Sequence, residues 1–579
     1  MAAKKHNPMH VHRVRTTKNG KTYVTHLLRK SYREGGRVRK KTLATLSHLP
    51  PEIIDIIRES LKGKQYAPTT DTMPDPVSSS NHGNVEAVMK AIRLLGLDTI
   101  ISSRRCRERD LVLAMVASRI INPGMSKSAL ARSWKNTTLA GELQLGEASA
   151  VELYNAMDWL GERQNRIQNK LARRYLDPSS PVMYDLTSTW MEGSNCPYSR
   201  HGYSRDGKRG KLQVNFGLLC DIRGRPVAVS VHDGNVPDSQ AIGPEIDRLR
   251  KGFSLDRVVI IGDRGMIVQT TIDILRTLPG VDWITALKGA TIRKLVRSGH
   301  LDAGDGRILF EMNHPDYPGE RLVVCRNRSL ATRRSHVREA LLVKTEELLS
   351  EISERVARGT LEGAGAIGLA VGRVVNKHKV RKHFELEITE TGFSWQRNRE
   401  GIGREAAMDG IYVIRTSLAE KDLDAAGCVR SYKQLTQVER AFRTIKTSDL
   451  HVRPVYHWLE GRVRVHIFVC MLAYLVEWHM RKAWIPLLFA DPELEDMNGS
   501  RNPVLPVKRS EVARGKMETG RLEDGSAVHS FRTLMDLMGT IVRNEHPLPG
   551  VEGQTFATTT VPDAKQVEAL RLLDSIAGM

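Results

Sequence analysis

From Pro181 onward the chain sets out three apolar runs of strand period in quick succession, VMYDLTSTW, KLQVNFGLLCD and RPVAVSVHD, about ten residues apart. Alternation over runs this short, with a turn at Arg223-Gly224 between the second and third, is the pattern of antiparallel strands in a meander. A helical stretch from Asp238 to Arg250 follows, then the strand RVVIIGDRG, a helix from Met266 to Leu278 and the strand DWITALK. The order βββαβαβ calls for a mixed sheet sandwiched by helices. A doubly wound fold would instead alternate strand and helix from the start.

That pattern occupies only part of a 579-residue chain, and at the usual domain size the whole should hold about three to five modules. Residues 1–64 carry 16 Lys/Arg against 4 Asp/Glu, so +12 of the total +22 lies in the first ninth of the chain. Strand-like segments there, separated by Asn19-Gly20 and Gly35-Gly36, predict a small basic β-hairpin arm. Residues 65–83, rich in Pro, Ser, Thr and Asp, read as a linker. Residues 84–178 turn to helical period, ending in a long helix to Leu176 that opens with the capping box Ser149-x-x-Glu152. Within them the breaker Asn122-Pro123-Gly124-Met125 and the basic SKSALARSWK form a helix-turn-helix candidate, with Lys127, Arg132 and Lys135 available to meet DNA. The sheet-forming core is expected over 179–288 and 409–482, interrupted by an inserted subdomain at 289–408, with a C-terminal region at 483–579 as a possible dimerisation element.

A net charge of +22 argues for a polyanionic partner, nucleic acid first, and says nothing about fold. Six cysteines without CxxC spacing disfavour a disulfide framework and a thiolate metal site, consistent with a reducing cytoplasm. The start lacks an apolar signal segment, and Ile467 to Val476 is about half of what a membrane helix needs, so no membrane is expected.

Two carboxylates stand out because their positions are expensive. Asp185 lies inside the apolar strand Val182–Trp190, and a charge there must be paired or bound to a cation. Asp263 follows Val258–Ile261 and Gly262, at the C-terminal end of its strand, where ligands gather in open α/β sheets. Capping of a helix near Met266 would also account for Asp263. A third acid, Glu439, lies on the helix SYKQLTQVERAFRTIKT, whose buried stripe is Val438, Ala441, Phe442 and Ile445. Tyr432, Glu439 and Lys446 recur every seven residues, so on an unbroken helix they form a second stripe along the rim of the buried face, where a cleft would open.

Asp185 in YDLTS, Asp263 in GDRGM and Glu439 in Tyr432-x6-Glu439-x6-Lys446 resemble the Asp-Asp-Glu (DDE) triad of insertion-sequence transposases, in the branch with a Tyr-Arg-Glu-Lys signature and an insertion before the Glu. The resemblance spans about residues 180–480 and extends to GNVPDSQ and LHVRPVYHWLEGRVRVH. It implies a multidomain α/β protein with an RNase H-like core, cleaving and joining DNA with two Mg2+ (or Mn2+) ions held by Asp185, Asp263 and Glu439. It also implies that Tyr432 and Lys446 hold terminal phosphates. The signature's Arg falls on Leu435, leaving Arg440 or Arg443 as substitutes. Some members pass the cut end through a hairpin with a flipped base, for which Trp395 is a candidate stacking platform.

Two readings follow. The first is an active transposase that binds terminal inverted repeats, pairs transposon ends and target DNA as a homodimer, and works in a bacterial cytoplasm in association with the nucleoid. The second is a non-catalytic, domesticated DNA-binding protein, which would tolerate loss of any of the three acids. His451, His457 and His466, close to Arg453, Arg462 and Arg464, suit a basic surface better than a metal site, with His466 structural.

Overall fold

The computed structural model describes residues 9–18, 20–64, 74–177, 180–193, 195–253, 255–302, 306–494, 501–549 and 553–579. They divide into two units, one of residues up to Ser80 with Val542–Thr560, the other of Asn81–Ile541 with Val561–Met579.

In the first unit β1 (Met9–Lys18), β2 (Lys21–Glu34) and β3 (Arg37–Thr45) form an antiparallel sheet joined by turns at Gly20 (φ +71°) and Gly35-Gly36, where positive φ favours glycine. Every residue of β3 is exposed, so Arg37, Arg39, Lys40 and Lys41 are held out on a thin ribbon. The strand-like segments marked out in the sequence fall within β1, β2 and β3. The expected linker differs: residues 65–73 lie outside the described part, and β4 (Ser78–Asn81) pairs beside the hairpin of Val542–Pro547 and Thr555–Thr559. An all-polar SSSN segment has no apolar alternation to announce a strand.

The second unit opens with helices Gly83–Leu94, Arg107–Ile121, Lys127–Ser133, Ala150–Gly161 and Gln164–Tyr175. The Ser149–Glu152 capping box is present, with Glu152 N–H donating to Ser149 Oγ at 3.2 Å and Ser149 N–H donating to the Glu152 carboxylate at 2.9 Å. The single long helix expected to Leu176 is two helices, parted at Glu162 and Arg163.

The sheet follows, with β5 (Val182–Trp190), β6 (Gln213–Asp221), β7 (Pro226–Asp233), β8 (Val258–Ile261), β9 (Val281–Ala286), β10 (Leu309–Met312), β11 (Arg321–Arg326), the separate hairpin β12 (Phe384–Ile388) and β13 (Phe393–Arg397), and β14 (Ile411–Thr416). Its order is β10-β11-β14-β9-β8-β5-β6-β7, with β5–β8 and β8–β9 parallel and the other pairs antiparallel. All nine residues of β6 are buried, as a central strand covered on both faces requires. At Gly217 on β6 a Cβ would come 2.0 Å from the hydroxyl oxygen of Tyr184, so only glycine fits there.

Residues 289–408 do not form one separate subdomain. β10 and β11 extend the main sheet through β14, around a core of Leu295, Leu322, Val324 and Val413. Helices Arg328–Ala357 and Ala364–Lys377 with the β12–β13 hairpin enclose their own core, including Leu349, Ile367, Val371 and Phe384. Strand period alone does not say which sheet a strand joins, which is why the two parts looked like one insertion.

The helix Glu460–Ala483 is the central post of the second unit, packing on Gly83–Leu94, Arg107–Ile121, Ala150–Gly161 and β7. Among the described residues it alone is long and apolar enough to cross a membrane, and 89% of its apolar window is buried in protein. The C-terminal region splits. Phe531–Gly539 and the last helices pack on Gly83–Leu94 and the central post, where Trp484 Nε1–H donates to Ala569 O at 2.9 Å, while 542–560 belongs to the first unit. All six cysteines are free.

Candidate active site

Parallel pairing of β5 with β8 matches Met183 to Ile261, so two residues further on Asp185 and Asp263 come level on adjacent chains. Because side chains alternate along a strand, Asp185 shares its face with Thr187 on β5 and with Phe216 and Leu218 on β6. The opposite face carries Tyr184, whose hydroxyl lies 3.0 Å from Ser230 Oγ. Asp263 stands just beyond its strand, exposed, and its carboxylate accepts from the Gly265 N–H. It therefore closes a tight turn rather than capping the following helix, which begins at Gln269.

Burial pushes the Asp185 carboxyl up to about 7; the nearby carboxylates of Asp263 and Asp238 add to this, and the Leu186 N–H (2.8 Å) and Arg205 oppose it. A buried carboxyl whose proton affinity is raised further by carboxylates beside it is what a hard cation would relieve, and all-oxygen ligands suit Mg2+. Asp185 and Asp263 fit such an ion. Among the described residues no group of three or more acidic, His or Cys side chains is already gathered as a metal site, so Glu439 would have to approach Asp185 and Asp263 to share an ion with them.

The helix Leu435–Arg443 lies on the Asp185 face, with Phe442 edge-on against Phe216 at a ring-centroid distance of 5.6 Å. Val438, Ala441 and Phe442 are buried and Glu439, Arg440 and Arg443 exposed, as the spacing predicted. Tyr432 is half-buried on a separate preceding helix, Ala425–Lys433. Burial pushes its hydroxyl up to about 12, with Asp263, Glu439 and Asp185 adding and Arg264 opposing, so all three acids act on it.

The single stripe Tyr432–Glu439–Lys446 is not realised. The helix is interrupted at Gln434, and Thr444–Ser448 is a π-helical turn. A π turn advances roughly 80° per residue against about 100° in an α-helix, so Lys446 ends about 80° behind Glu439, close to the buried Val438 at about 100° behind. Lys446 is accordingly 8% exposed, and its ammonium donates to Thr187 Oγ1 and to the Asp206 carboxylate, both at 2.7 Å. Burial lowers its proton affinity while Asp206 raises it.

Asp206, which sequence reasoning passed over, also pairs with Arg453, whose guanidinium lies 4.8 Å above the Trp190 ring. The loop bearing Asp206 docks through the Arg205 N–H to Ser188 Oγ (2.9 Å) and an Arg205–Asp238 ion pair. A signal was present, since YSRDGKRG is a charged stretch returning between two apolar strands.

In the helix-turn-helix candidate Arg132 and Lys135 are exposed, but Lys127 is 5% exposed and lines a small cavity with Arg119. Position N1 of a short helix packed on its neighbour faces inward, which charge alone does not reveal. Trp395 packs against Phe384 at 5.9 Å within the 328–397 core and is half-buried. His466 is buried, 2.9 Å from Val452 O, as a structural histidine should be.

The family model described as transposase DDE domain matches residues 187–476, and that described as IS1634 family transposase, N-terminal domain, matches residues 11–71. The chain belongs to the DDE transposases. The transposase is thus a DNA-acting enzyme of a family that cleaves and transfers DNA strands and depends on divalent metal. Its Asp263, Tyr432, Glu439 and Lys446 fall inside the matched DDE span, and Asp185 two residues before it. Among solved structures it is similar to a piggyBac transposase synaptic complex with hairpin DNA, at 9% identity and a TM-score of 0.34, covering 78% of this chain and 77% of that one. No curated protein matches the chain.

Proposed function

We propose that this transposase binds the terminal inverted repeats of its insertion sequence, pairs two ends as a homodimer, and cuts and transfers strands at Asp185, Asp263 and Glu439. The observation that carries the reading is the parallel pairing of β5 with β8, Met183 opposite Ile261, which supports Asp185 and Asp263 facing one cleft under the helix that bears Glu439. The order β7-β6-β5-β8-β9, three antiparallel strands followed by two parallel ones, is that of an RNase H-like core and supports it.

Asp185, Asp263 and Glu439 would hold two Mg2+ or Mn2+ ions, which supply activation of the attacking oxygen and stabilisation of the leaving one. The protein's own contribution is orientation. Tyr432 presents its hydroxyl to a terminal phosphate beside the acids, and exposed Arg440 and Arg443 steer the DNA end along the same helix. Lys446, tied to Asp206, reaches DNA only when that carboxylate gives way. Arg132 and Lys135 contact phosphates outside the core, and the basic ribbon of β1–β3 adds sequence-independent affinity. Trp395 offers one partly open face for a displaced base. Such a protein works on the bacterial nucleoid.

Excision in cells tests this. The DNA flanking the gene is placed on a reporter, and wild-type protein or Glu439→Ala is supplied in trans. Precise loss of the segment with wild type alone is expected. No excision by wild type, with duplex binding intact, would instead identify a domesticated DNA-binding protein.

A further inference from the structure

Between the helices Arg107–Ile121 and Lys127–Ser133 and the central post lies a cluster of basic side chains that, among the described residues, faces no carboxylate; the one acidic group beside Arg119 and Lys127, the Cys470 thiol, is kept neutral by burial. Arg119 is 7%, Lys127 5% and His466 5% exposed, and the His457 ring centroid lies 5.0 Å from that of His466. Among the described residues no carboxylate pairs with Arg119 or Lys127, and no hydrogen bond reaches the Lys127 ammonium. Arg119 donates only weakly, at 3.4 Å, to His451 O and to His466 Nδ1. His466 Nε2 lies 2.9 Å from Val452 O and must donate there, so its Nδ1 is the acceptor and the ring is neutral. Burial and the neighbouring cations hold His457 down to about 3 and Lys127 to about 7.

A guanidinium cannot shed its proton, so the cluster keeps a buried positive charge with no counterion among the described residues. Next to it Ser118, Arg119, Asn122, Met125 and Lys127 line a cavity of about 10 Å³, room for one water-sized atom and too small for a whole phosphate. Ser118 and Asn122 add neutral donors. The cavity sits at the turn between the two helices of the candidate reader; Arg132 is exposed on the second of them and Lys135 on the short 3-10 turn that follows it.

We propose that this cavity is an oxyanion site that seats one non-bridging oxygen of a DNA phosphate between Arg119 and Lys127, the remainder of the phosphate staying outside. The inference rests on the transposase binding DNA, and it assigns to the turn a fixed backbone contact that positions the reader on the duplex. Lys127 is then a buried anchor, unlike the exposed Arg132 and Lys135.

The test uses the full chain and a duplex oligonucleotide of arbitrary sequence, with affinity measured across a potassium chloride series and thermal melting in parallel. Lys127→Met should melt no lower than wild type, because it removes an unbalanced buried charge, yet bind DNA several-fold more weakly with a salt slope smaller by about 1. Asn122→Asp, which brings a carboxylate to the cavity wall, should raise the melting temperature and weaken DNA binding in the same way. Unchanged affinity and slope in both variants would overturn the site. Millimolar inorganic phosphate that stabilises wild type but not Lys127→Met, with DNA binding equal in the two, would assign the cavity to a free ion and overturn the DNA assignment. A wild type that binds no duplex would overturn the DNA reading itself, and this inference with it.

Discussion

The ammonium of Lys446 donates to the hydroxyl of Thr187, 2.7 Å away, on the same strand and the same face as Asp185. That bond ties the end of the Glu439 helix to the strand that carries the first acid, and Asp206 neutralises the lysine where it lands.

Removing Asp206 should therefore cost stability. Its side chain is 6% exposed between Lys446 and Arg453, and Asp206→Asn leaves two cations facing a neutral amide. Breaking a buried pair from one side costs about 3 kcal/mol. Chemical denaturation should show that loss, and adding Lys446→Met should restore part of it. Denaturation identical to wild type would mean that the ion cluster does not hold the loop.

At the acids the effect should be on chemistry alone. Asp185→Ala, Asp263→Ala and Glu439→Ala should each lower metal-dependent strand cleavage by on the order of a thousandfold, the loss of several kcal/mol of charge stabilisation. Duplex affinity should stay within a small factor of wild type. Appreciable cleavage by any one variant would remove that residue from the triad.

Glu477 offers a pH test away from the site. It is fully buried on the central post; burial pushes its carboxyl up to about 7, with Asp449 adding and Arg481 opposing. In the unfolded chain it titrates near 4.5, so the folded state holds the proton more tightly. Its contribution is most favourable below about 4.5 and is lost as the pH rises to about 7. Glu477→Gln should gain on wild type across that window, by on the order of 3 kcal/mol at its alkaline end. A pH-independent difference would mean that Glu477 is ionised throughout.

Deleting residues 1–64 should leave the second unit folded, since none of its residues comes from that segment. Duplex affinity should fall and its dependence on salt should flatten, because each neutralised phosphate releases counterions. An unchanged salt slope would deny the basic ribbon a role in binding.

Where local pattern decides the outcome, the chain was readable. Val182–Trp190 was drawn to the residue, the Ser149 cap was recognisable from four positions, and the burial of Val438, Ala441 and Phe442 followed from their spacing. Asp185 stood out because a charge inside an apolar strand is costly. What escaped depends on contacts across long sequence separations. Nothing in SSSN indicates that it pairs beside residues near 545, and Asp206 matters only because Lys446 and Arg453 arrive from some 240 residues away. The inward turn of Lys127 was invisible for the same reason.

The π turn at Thr444–Ser448 separates two measures that a motif treats as one, distance counted along the chain and direction around the helix axis. A protein with the same Tyr, Glu and Lys spacing on an uninterrupted helix would present its lysine to solvent instead of to Thr187. Grafting those three residues onto a straight helix would thus copy the signature but misdirect the lysine, and the smallest portable piece of this site is the whole segment from Leu435 to Ser448.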